Sequence, residues 1–298
     1  MQCARRKHRI ELEGFFVLYE GLTKEAGEEV MSRSSAAQIW ESLERIRESS
    51  PVVHNITNYV VMNTTANALL SLGASPVMAH APEEASDMAG IAGALVINIG
   101  TLSSGWVKAM FLAGEKATAR GIPIVLDPVG AGATPYRTAT ARELVLTLRP
   151  AIIRGNASEV MALHEDRGAT RGVDSTDSSH DALQAAEHLA AEFGSVVCVS
   201  GETDYIVGRD GTVKVRNGHP LMTRVTGMGC TATALCGAFA AVQGDFGMAA
   251  SGAMAVMGIA GELAASGADG PGSLQLRFLD VLYRLSKEDI EARLRMEG

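Results

Sequence analysis

Short segments that are apolar at almost every position alternate with helical segments along most of this chain. Residues 94–100, 123–129 and 196–200 are the clearest of the apolar segments. A strand that is apolar at consecutive positions has both faces buried. Between them lie segments in which apolar residues recur at helical spacing, as at 106–120 and 182–193. Buried strands that alternate with helices form a parallel sheet covered on both sides. The sequence therefore predicts an α/β fold, a three-layer sandwich whose mostly parallel central sheet carries helices on both faces.

The same patterns locate the remaining elements. Further strands are predicted at 51–60, where a short strand enters a polar loop, at 75–79 and at 151–154, and a hairpin pairs 204–207 with 212–215. Helices are predicted near 37–46 and at 63–72, 83–91, 139–148 and 158–163, with three more towards the C-terminus. Residues 166–179 are predicted to form a polar loop.

Composition excludes several classes of function. Aromatic residues make up only 5%, too few for a nucleic-acid stacking platform, and the net charge of −8 argues against a broad polyanion-binding surface. The apolar residues 248–265 include Glu262 and many small residues, which favours a buried helix over a membrane span. The 4 scattered cysteines lack metal-ligand or CxxC spacing and indicate reduced thiols. We therefore expect a cytoplasmic protein that binds neither nucleic acid nor membrane.

The N-terminal residues differ in character from the rest of the chain. Residues 1–33 are charged and lack a clear period, and no linker is evident after the first strand. We therefore predict a single domain at 34–298, preceded by a poorly structured extension at 1–33. Gly27-Glu28-Glu29 requires purine-rich codons, as a ribosome-binding site does, and Met31 follows closely. We hypothesise that translation begins at Met31; a genuine but disordered extension is the alternative.

The stretch TGMGCTATAL at 226–235 combines two glycines, a cysteine and the start of a helix. Gly227 and Gly229 permit a tight turn and a close approach of the backbone to a ligand. Free amides at a helix N-terminus bind anions, so Gly227, Met228, Gly229 and Cys230 are predicted to form an anion hole. The helix dipole at this position would also lower the pKa of the Cys230 thiol. The alternative is a glycine-rich loop packed beneath a buried helix, with Cys230 as a small core residue.

Unusual side chains follow the predicted strands at their carboxyl ends, where open parallel sheets bind ligands. They are Asn58, Met78, Asn98, Asp127, Arg154 and Ser200. One such residue would be ordinary, but a series on successive strands is hard to attribute to loops alone. The series therefore predicts a ligand site along one edge of the sheet.

Two acidic residues are candidates for binding magnesium. Asp127 ends an apolar strand, where a carboxylate can hold Mg²⁺ through water. Glu159 lies three residues after Asn156 at a predicted helix start, so that the two side chains face one way and Glu159 could reach the same ion. The alternatives are that Asp127 caps a turn or a helix, and that Asn156 and Glu159 form a capping box.

Arg154 and Ser200 are candidates for phosphate binding. The guanidinium of Arg154 could clamp a nucleotide phosphate, and the hydroxyl of Ser200 lies at the next predicted strand end. The alternatives are a surface ion pair for Arg154 and a plain turn into the hairpin for Ser200.

The order of these motifs is more specific than any one of them. An acid at a strand end is followed by Asn-x-x-Glu at 156–159, by Ser-Gly-Glu-x-Asp at 200–204 and by the Gly-x-Gly-Cys stretch. This order resembles the ribokinase-like kinases, most of which have Asp where Cys230 stands. The cysteine, together with HNITN at 54–58, SPVM at 75–78 and DPVG at 127–130, closely resembles the hydroxyethylthiazole kinase family over residues 50–270.

The resemblance implies a ribokinase-like fold and phosphorylation of 4-methyl-5-(2-hydroxyethyl)thiazole by ATP, a step of thiamine salvage. It assigns Met78, Gly227 and Asn58 to the thiazole alcohol, Arg154 and Ser200 to ATP, Asp127 and Glu159 to Mg²⁺, and Cys230 to catalysis. An unperturbed thiol is only partly ionised at neutral pH, so proton acceptance by Cys230 is the less secure part of this assignment. A homotrimer with sites at the subunit interfaces is also implied.

Two other functions remain open from the sequence. One is another ribokinase-like kinase of small alcohols, such as a hydroxymethylpyrimidine kinase. The other is a nucleotide-binding protein on the same fold that binds ATP without turnover. A dinucleotide-dependent oxidoreductase is disfavoured, because no G-x-G-x-x-G motif follows the first predicted strand.

Overall fold

The computed structural model describes residues 35–164 and 178–298. The extension predicted at 1–33, the hypothesis about Met31 and residues 166–177 of the predicted polar loop lie outside the described residues. The domain boundary at residue 34 therefore stays a prediction.

The described residues form eleven α-helices and nine β-strands. The helices are α1 (35–49), α2 (Met62–Leu72), α3 (Ala85–Ile91), α4 (Ser104–Arg120), α5 (Pro135–Leu148), α6 (Ala157–His164), α7 (Ser178–Phe193), α8 (Met228–Val242), α9 (Phe246–Ala265), α10 (Pro271–Arg284) and α11 (Lys287–Arg293). The strands are β1 (Val52–Ile56), β2 (Ser75–Val77), β3 (Ala94–Asn98), β4 (Ile124–Asp127), β5 (Ile152–Asn156), β6 (Val196–Ser200), β7 (Asp204–Gly208), β8 (Gly211–Val215) and β9 (Met296–Glu297).

All nine strands belong to one sheet, in the order β2-β1-β3-β4-β5-β6-β7-β8-β9. The strands from β2 to β6 are parallel, and β7, β8 and β9 add antiparallel pairs at one side. The chain runs outward from β1 to β2 and then in the opposite direction from β3 onwards, so the strand order reverses between β1 and β3. Open α/β sheets bind ligands at such a reversal, beyond the carboxyl ends of the strands.

Helices cover both faces of the sheet. One hydrophobic core lies between the sheet and the helices α1, α2 and α8 to α11, and a second lies between the sheet and α3 to α7. Neighbouring strand residues alternate between the two cores: Val96 and Val125 belong to the first, whereas Leu95 and Ile124 belong to the second. Because side chains of a strand point alternately to opposite faces, both sets must be apolar. This double burial accounts for the continuous apolar segments of the sequence.

The helix α8 lies at the centre of the first core. Residues 231–240 are buried without exception. A Cβ atom on Gly237 would lie 2.5 Å from Cγ2 of Val96, so the missing side chain lets α8 approach β3 closely. The neighbouring α9 is the one described helix long and apolar enough to cross a membrane by length and composition, but 78% of that window is buried inside the protein. The sequence prediction of a buried helix at 248–265 agrees with this.

Several boundaries differ from the sequence predictions for local reasons. Helix α5 begins at Pro135 rather than at 139, because the hydroxyl of Thr134 caps it by accepting from the amide of Arg137 and proline suits the first helical position. Helix α7 begins at Ser178 rather than at 182. The two-residue strand β9 and a short 3₁₀ helix at Pro220–Arg224 were not predicted, since segments this short carry too little pattern.

Candidate active site

The glycine stretch forms the turn into α8, as predicted. Gly227 precedes the helix with φ at 83°, in the left-handed region that favours glycine. A Cβ atom on Gly227 would lie 2.5 Å from Cγ1 of Val61. A side chain at this position would therefore strain the backbone and displace Val61.

The first turn of α8 presents free amides. Its first backbone hydrogen bond runs from the amide of Thr231 to the carbonyl oxygen of Gly227, at 2.8 Å. The amides of Met228, Gly229 and Cys230 precede that bond, and no side chain caps the helix. Such amides, with the positive end of the helix dipole, favour an anion.

Arg154 lies against this turn. One of its Nη atoms donates to Oγ of Ser200 at 2.7 Å, and a Cβ atom on Gly229 would lie 2.7 Å from the other. The missing side chain of Gly229 thus makes room for the guanidinium. The Nε atom of Arg154 is buried and has no hydrogen-bond partner among the described residues. A guanidinium with an unused donor beside free amides is suited to phosphate.

The predicted strand-end position of Arg154 was wrong. It is the third of five residues in β5, which ends at Asn156, and so it does not lie at a strand end. The alternative of a surface ion pair does not hold either, because Arg154 is half-buried and its guanidinium donates to Ser200. Burial lowers the pKa of Arg154, but the neighbouring Asp127, with smaller effects from Cys198 and Asp204, more than offsets this and leaves the pKa above its ordinary value. Arg154 is therefore a fixed positive charge inside the site.

A cavity of about 780 Å³ opens beside Arg154 and the start of α8. Arg154, Ser200, Met228 and Gly229 line it, together with residues that follow β8 and residues of α9. Both residues predicted to bind ATP therefore share one cavity of the size that holds a nucleotide. None of the residues predicted for the thiazole alcohol, Met78, Gly227 and Asn58, lines this cavity.

A hydrogen-bond network joins the strand ends to α8. The side-chain nitrogen Nδ2 of Asn58 donates to Oδ1 of Asn98, and Nδ2 of Asn98 donates to Oδ2 of Asp127, each at 2.8 Å. The hydroxyl of Thr233 donates to the same Asp127 oxygen at 2.8 Å. Nδ2 of Asn58 also lies 3.5 Å from Sγ of Cys230. The network therefore brings three of the predicted strand-end residues to the cysteine, at the point where the strand order reverses.

Asp127 is buried inside this network, and these partners show that it does not cap a turn or a helix. Burial raises the pKa of the Asp127 carboxyl to about 6, with a further upward effect from Glu159, against the opposing effects of Arg154 and of the hydrogen bonds from Thr233 and Asn98. The carboxyl is thus mainly ionised at pH 7.5 and carries negative charge within the network.

The expected lowering of the Cys230 pKa was wrong. Burial raises the pKa of the thiol to about 11, and the charge of Asp127 adds to this effect, although hydrogen bonds from Asn98 and Asn58 oppose it. A helix dipole contributes about 0.3–1 kcal/mol, whereas a shift of two pKa units corresponds to about 3 kcal/mol. Desolvation therefore outweighs the dipole, and the free protein holds Cys230 as a neutral thiol at pH 7.5.

Asp204, the first residue of β7, gives the site a pH-dependent stability. Burial raises its pKa to about 6, against a hydrogen bond from the Gly201 amide and the charge of Arg154. Because the unfolded carboxyl has a pKa of about 3.9, the folded protein binds this proton more tightly. The stabilising contribution is complete below pH about 4 and is lost as the pH rises through about 6.

We expect Asp204→Asn, which keeps the side-chain shape and an acceptor for Gly201, to be more stable than the parent by about 2–3 kcal/mol at pH 8 but by only about 1 kcal/mol at pH 4.5. Urea unfolding in the presence of EDTA at several pH values measures this difference. The exposed Glu202, changed to Gln, is the control in the turn that precedes Asp204. A stability difference that does not vary with pH would contradict the prediction.

Glu159 forms the capping box that was the alternative to magnesium binding. Its amide donates to Oδ1 of Asn156, and its own Oε2 accepts from the amide of Asn156, both at 2.9 Å. Its Oε1 accepts from the amide of Gly130 at 2.8 Å, in the loop after β4. Glu159 therefore ties the start of α6 to the strand that carries Asp127.

The acidic residues do not form a closed metal cage. Among the described residues there is no group of three or more His, Cys, Asp or Glu side chains that could hold a metal ion. Both oxygens of Glu159 already accept amide hydrogen bonds. This arrangement nevertheless fits Mg²⁺, which keeps several waters and is commonly bound by one or two carboxylates together with substrate phosphates.

Met78 follows β2 in a half-buried segment. Its carbonyl oxygen lies 3.1 Å from Nδ1 of His80, and the carbonyl oxygen of Ala79 lies 2.8 Å from Nε2 of the buried His54. The ring of His80 contacts the ring of Trp106, with centroids 4.5 Å apart. The segment is thus fixed at the same edge of the sheet as Asn58, as the sequence predicted, on the far side from the cavity.

Arg137 is a site residue that sequence reasoning missed. From α5 its guanidinium donates to three backbone carbonyl oxygens in the loops that follow β3 and β4. These are Ile99 and Gly100, each at 2.8 Å, and Val129 at 2.9 Å. The two loops begin directly after Asn98 and Asp127, so Arg137 holds the two strand ends in register. Contacts to backbone atoms leave no pattern in the sequence.

Arg137→Lys is expected to lower kcat of the phosphoryl transfer that the resemblance implies, by about tenfold. An ammonium lacks the planar fork that spans three carbonyl oxygens, and small displacements of reacting groups slow a reaction considerably. Steady-state kinetics measure the effect. Arg120→Lys is the matched control, since Arg120 donates to the carbonyl oxygens of Ala89 and Ala92 away from the site. An equal loss in both variants would indicate general destabilisation instead.

Comparisons with known proteins identify relatives of this chain. The model of the hydroxyethylthiazole kinase family matches residues 43–288. The chain is 64% identical to a hydroxyethylthiazole kinase of Syntrophus aciditrophicus over 86% of this chain and 96% of that protein. The structure of a hydroxyethylthiazole kinase from Pyrococcus horikoshii superposes with a TM-score of 0.80 at 46% identity, covering 87% of this chain and 98% of that one.

A more distant neighbour addresses the fold alone. A ribokinase-like superfamily protein from Enterococcus faecalis superposes with a TM-score of 0.58 at 13% identity, over 79% of this chain and 87% of that one. The predicted ribokinase-like sandwich is thereby confirmed. With the family model, the close relative and the shared structure in agreement, the chain belongs to the hydroxyethylthiazole kinase family.

Proposed function

We propose that this chain transfers the terminal phosphoryl group of ATP to the hydroxyl of 4-methyl-5-(2-hydroxyethyl)thiazole, a step of thiamine salvage. Family membership over residues 43–288 is the observation that carries the proposal. The geometry supports it, because Gly229 lines the cavity while the next residue, Cys230, belongs to the hydrogen-bond network. Nucleotide and alcohol would therefore meet at the first turn of α8.

The nucleotide would bind through its phosphates. Phosphoryl transfer is catalysed mainly by positioning and by stabilisation of charge. Arg154 and Ser200 would bind the phosphates from one side, and the free amides at the start of α8 would hold the group in transfer. Mg²⁺ bound with the nucleotide would neutralise phosphate charge and would be held through its waters by Asp127 and Glu159.

The alcohol would bind at the other end of the glycine turn. Met78, Gly227 and Asn58 are proposed to contact it, with Cys230 next to its hydroxyl. Once the alcohol is bound, the neutral thiol would orient its hydroxyl by a hydrogen bond. A proton acceptor is required only late in a loose transition state, so the raised pKa of Cys230 limits its role as a base more than its role in positioning.

A coupled assay of ADP formation with ATP and the thiazole alcohol tests the function directly. Hydroxymethylpyrimidine in place of the thiazole separates the nearest alternative kinase, which would phosphorylate the pyrimidine in preference. ATP binding without turnover on either alcohol would instead identify a nucleotide-binding protein that lacks kinase activity. We expect turnover with the thiazole and little with the pyrimidine.

On the basis of the family resemblance, we further propose that the protein is a cytoplasmic homotrimer with its sites at subunit interfaces. Light scattering at micromolar concentration is expected to give three times the mass of the chain. A monomer mass at that concentration would refute the trimer. The exposed Tyr59 and Val60, next to Asn58, are compatible with such an interface near the alcohol site.

A further inference from the structure

The cavity extends from the phosphate-binding residues to the residues that follow β8. Arg154 lies on β5, and β8 is three strands further along the sheet. At about 4.8 Å between neighbouring strands, this separation is roughly 14 Å. If Arg154 binds phosphate, as the proposed function requires, the far end of the cavity is where the base of the nucleotide would lie.

The surface of the cavity as a whole is mainly apolar, although polar side chains also line its far end. Four methionines of the described chain line the cavity: Met222, Met228, Met254 and Met257. Pro220 and Ala232 line it as well. A thioether is polarisable and contacts aromatic rings favourably from many directions. A methionine-rich surface therefore offers packing to any purine ring.

Most polar side chains at the far end already have partners: Arg216 pairs with Glu297, and the hydroxyl of Thr223 donates to the carbonyl oxygen of Pro220. The amide nitrogen of Asn217 donates to Oε1 of Glu262 at 3.1 Å and to the carbonyl oxygen of Arg293 at 2.7 Å. Its Oδ1 accepts from the amide of Arg295 at 2.9 Å. The guanidinium of Arg295 donates to Glu262 and to the carbonyl oxygen of Arg216, both at 2.7 Å. These groups hold the wall of the cavity in place and have little capacity left for a base.

Two backbone donors of the same wall are used in the same way. The amide of Gly218 donates to Glu262 at 2.8 Å, and the amide of Leu221 donates to Nδ1 of His219 at 3.2 Å. A Cβ atom on Gly258 of α9 would lie 2.4 Å from the carbonyl oxygen of Asn217, so this wall packs directly on the helix. The wall is therefore fixed by internal contacts rather than poised to form new ones.

We propose that the nucleotide site selects its ligand by phosphates and by packing on methionine, and that it does not read the hydrogen-bonding edge of the purine. The inference rests on the proposed function. A pocket built to hydrogen-bond a group rejects an analogue without it by about 10⁴–10⁵, whereas an apolar pocket discriminates only about 10- to 200-fold. Inosine triphosphate should therefore replace ATP.

The sharpest test compares ATP with ITP, which has nearly the same ring size but an oxygen in place of the 6-amino group. We expect Kd values for the two magnesium-loaded nucleotides, measured by calorimetry without the alcohol, to differ by less than about tenfold. A preference for ATP above about 100-fold would overturn the proposal, and any smaller preference supports it. Because binding is measured without the alcohol, the result does not depend on which alcohol is phosphorylated.

Two variants separate packing from hydrogen bonding. Met222→Ala, at a half-buried position, should weaken ATP and ITP by the same factor of about threefold to tenfold, because it removes packing alone. Arg154→Ala should also weaken both equally, through the phosphates. A variant at Met222 that weakened ATP while leaving ITP unchanged would overturn the proposal. Absence of turnover with ATP would reject the proposed function but not the binding comparison.

Discussion

Replacing Arg154 with alanine is expected to weaken ATP binding by about 1.5–3 kcal/mol, or roughly 10- to 150-fold in Kd. The guanidinium is held by Ser200 against the first turn of α8 and has an unused buried donor. Its removal takes away a charged partner of the phosphates and the positive charge that opposes the raised pKa of Asp127. Titration calorimetry with ATP, together with the KM for ATP, measures the effect.

Two comparisons make the Arg154 prediction specific. Affinity for the thiazole alcohol, measured without nucleotide, should barely change. Arg154→Lys should fall between the parent and the alanine variant, since a point charge remains but cannot reach both Ser200 and the glycine turn. If Arg154→Ala leaves the KM for ATP and turnover as in the parent, the assignment of Arg154 to the nucleotide is rejected.

Cys230→Ala is expected to lower turnover roughly 10²-fold or somewhat less. A general base contributes about 10²–10⁴-fold, and the late loss of the alcohol proton in phosphoryl transfer favours the low end. The raised pKa of the thiol points the same way, because little thiolate exists at neutral pH. The amides of α8 remain in the variant, so activity should not vanish. KM values should change less than kcat, because the lost interaction belongs to the transition state.

Cys236→Ala is the matched control for Cys230, since it removes a buried thiol from the same helix outside the hydrogen-bond network. Cys230→Asp should retain activity, because aspartate is the usual residue of ribokinase-like kinases at this position. Alkylation of Cys230 should be slowed by ATP and the thiazole alcohol together. Normal turnover of Cys230→Ala, with alkylation that ignores both ligands, would reduce Cys230 to a packing residue.

The fold was predictable because its main constraint is visible in the order of residues. Strands such as β3 and β4 are buried on both faces, and this burial requires apolar residues at consecutive positions. Once the sheet is parallel, the residues at the carboxyl ends of its strands must lie at one edge. Asn58, Asn98 and Asp127 were found by this argument, and hydrogen bonds connect them in the structure.

Other parts of the site depend on packing that no local pattern records. Thr233 lies in an apolar run of α8, and only the placement of that helix directs its hydroxyl to Asp127. The contacts of Arg137 reach backbone atoms of two distant loops. The pKa of Cys230 depends on how much solvent the fold excludes, so position at a helix N-terminus gave the wrong direction. The sequence identifies which residue types lie at the carboxyl-end edge of the sheet. Desolvation and contacts to backbone atoms can be seen only in the assembled structure.

The position of α8 links the chemistry of the site to the integrity of the whole fold. Ligand-binding loops commonly open at low cost, long before the rest of a protein unfolds. Here the first turn of α8 supplies the proposed anion hole, while the following ten residues are fully enclosed in the core. Backbone amides in the middle of α8 should therefore be among the slowest to exchange with deuterated water. Heating should abolish catalysis only near the temperature at which the core itself melts, with no earlier stage at which a folded protein has lost its site.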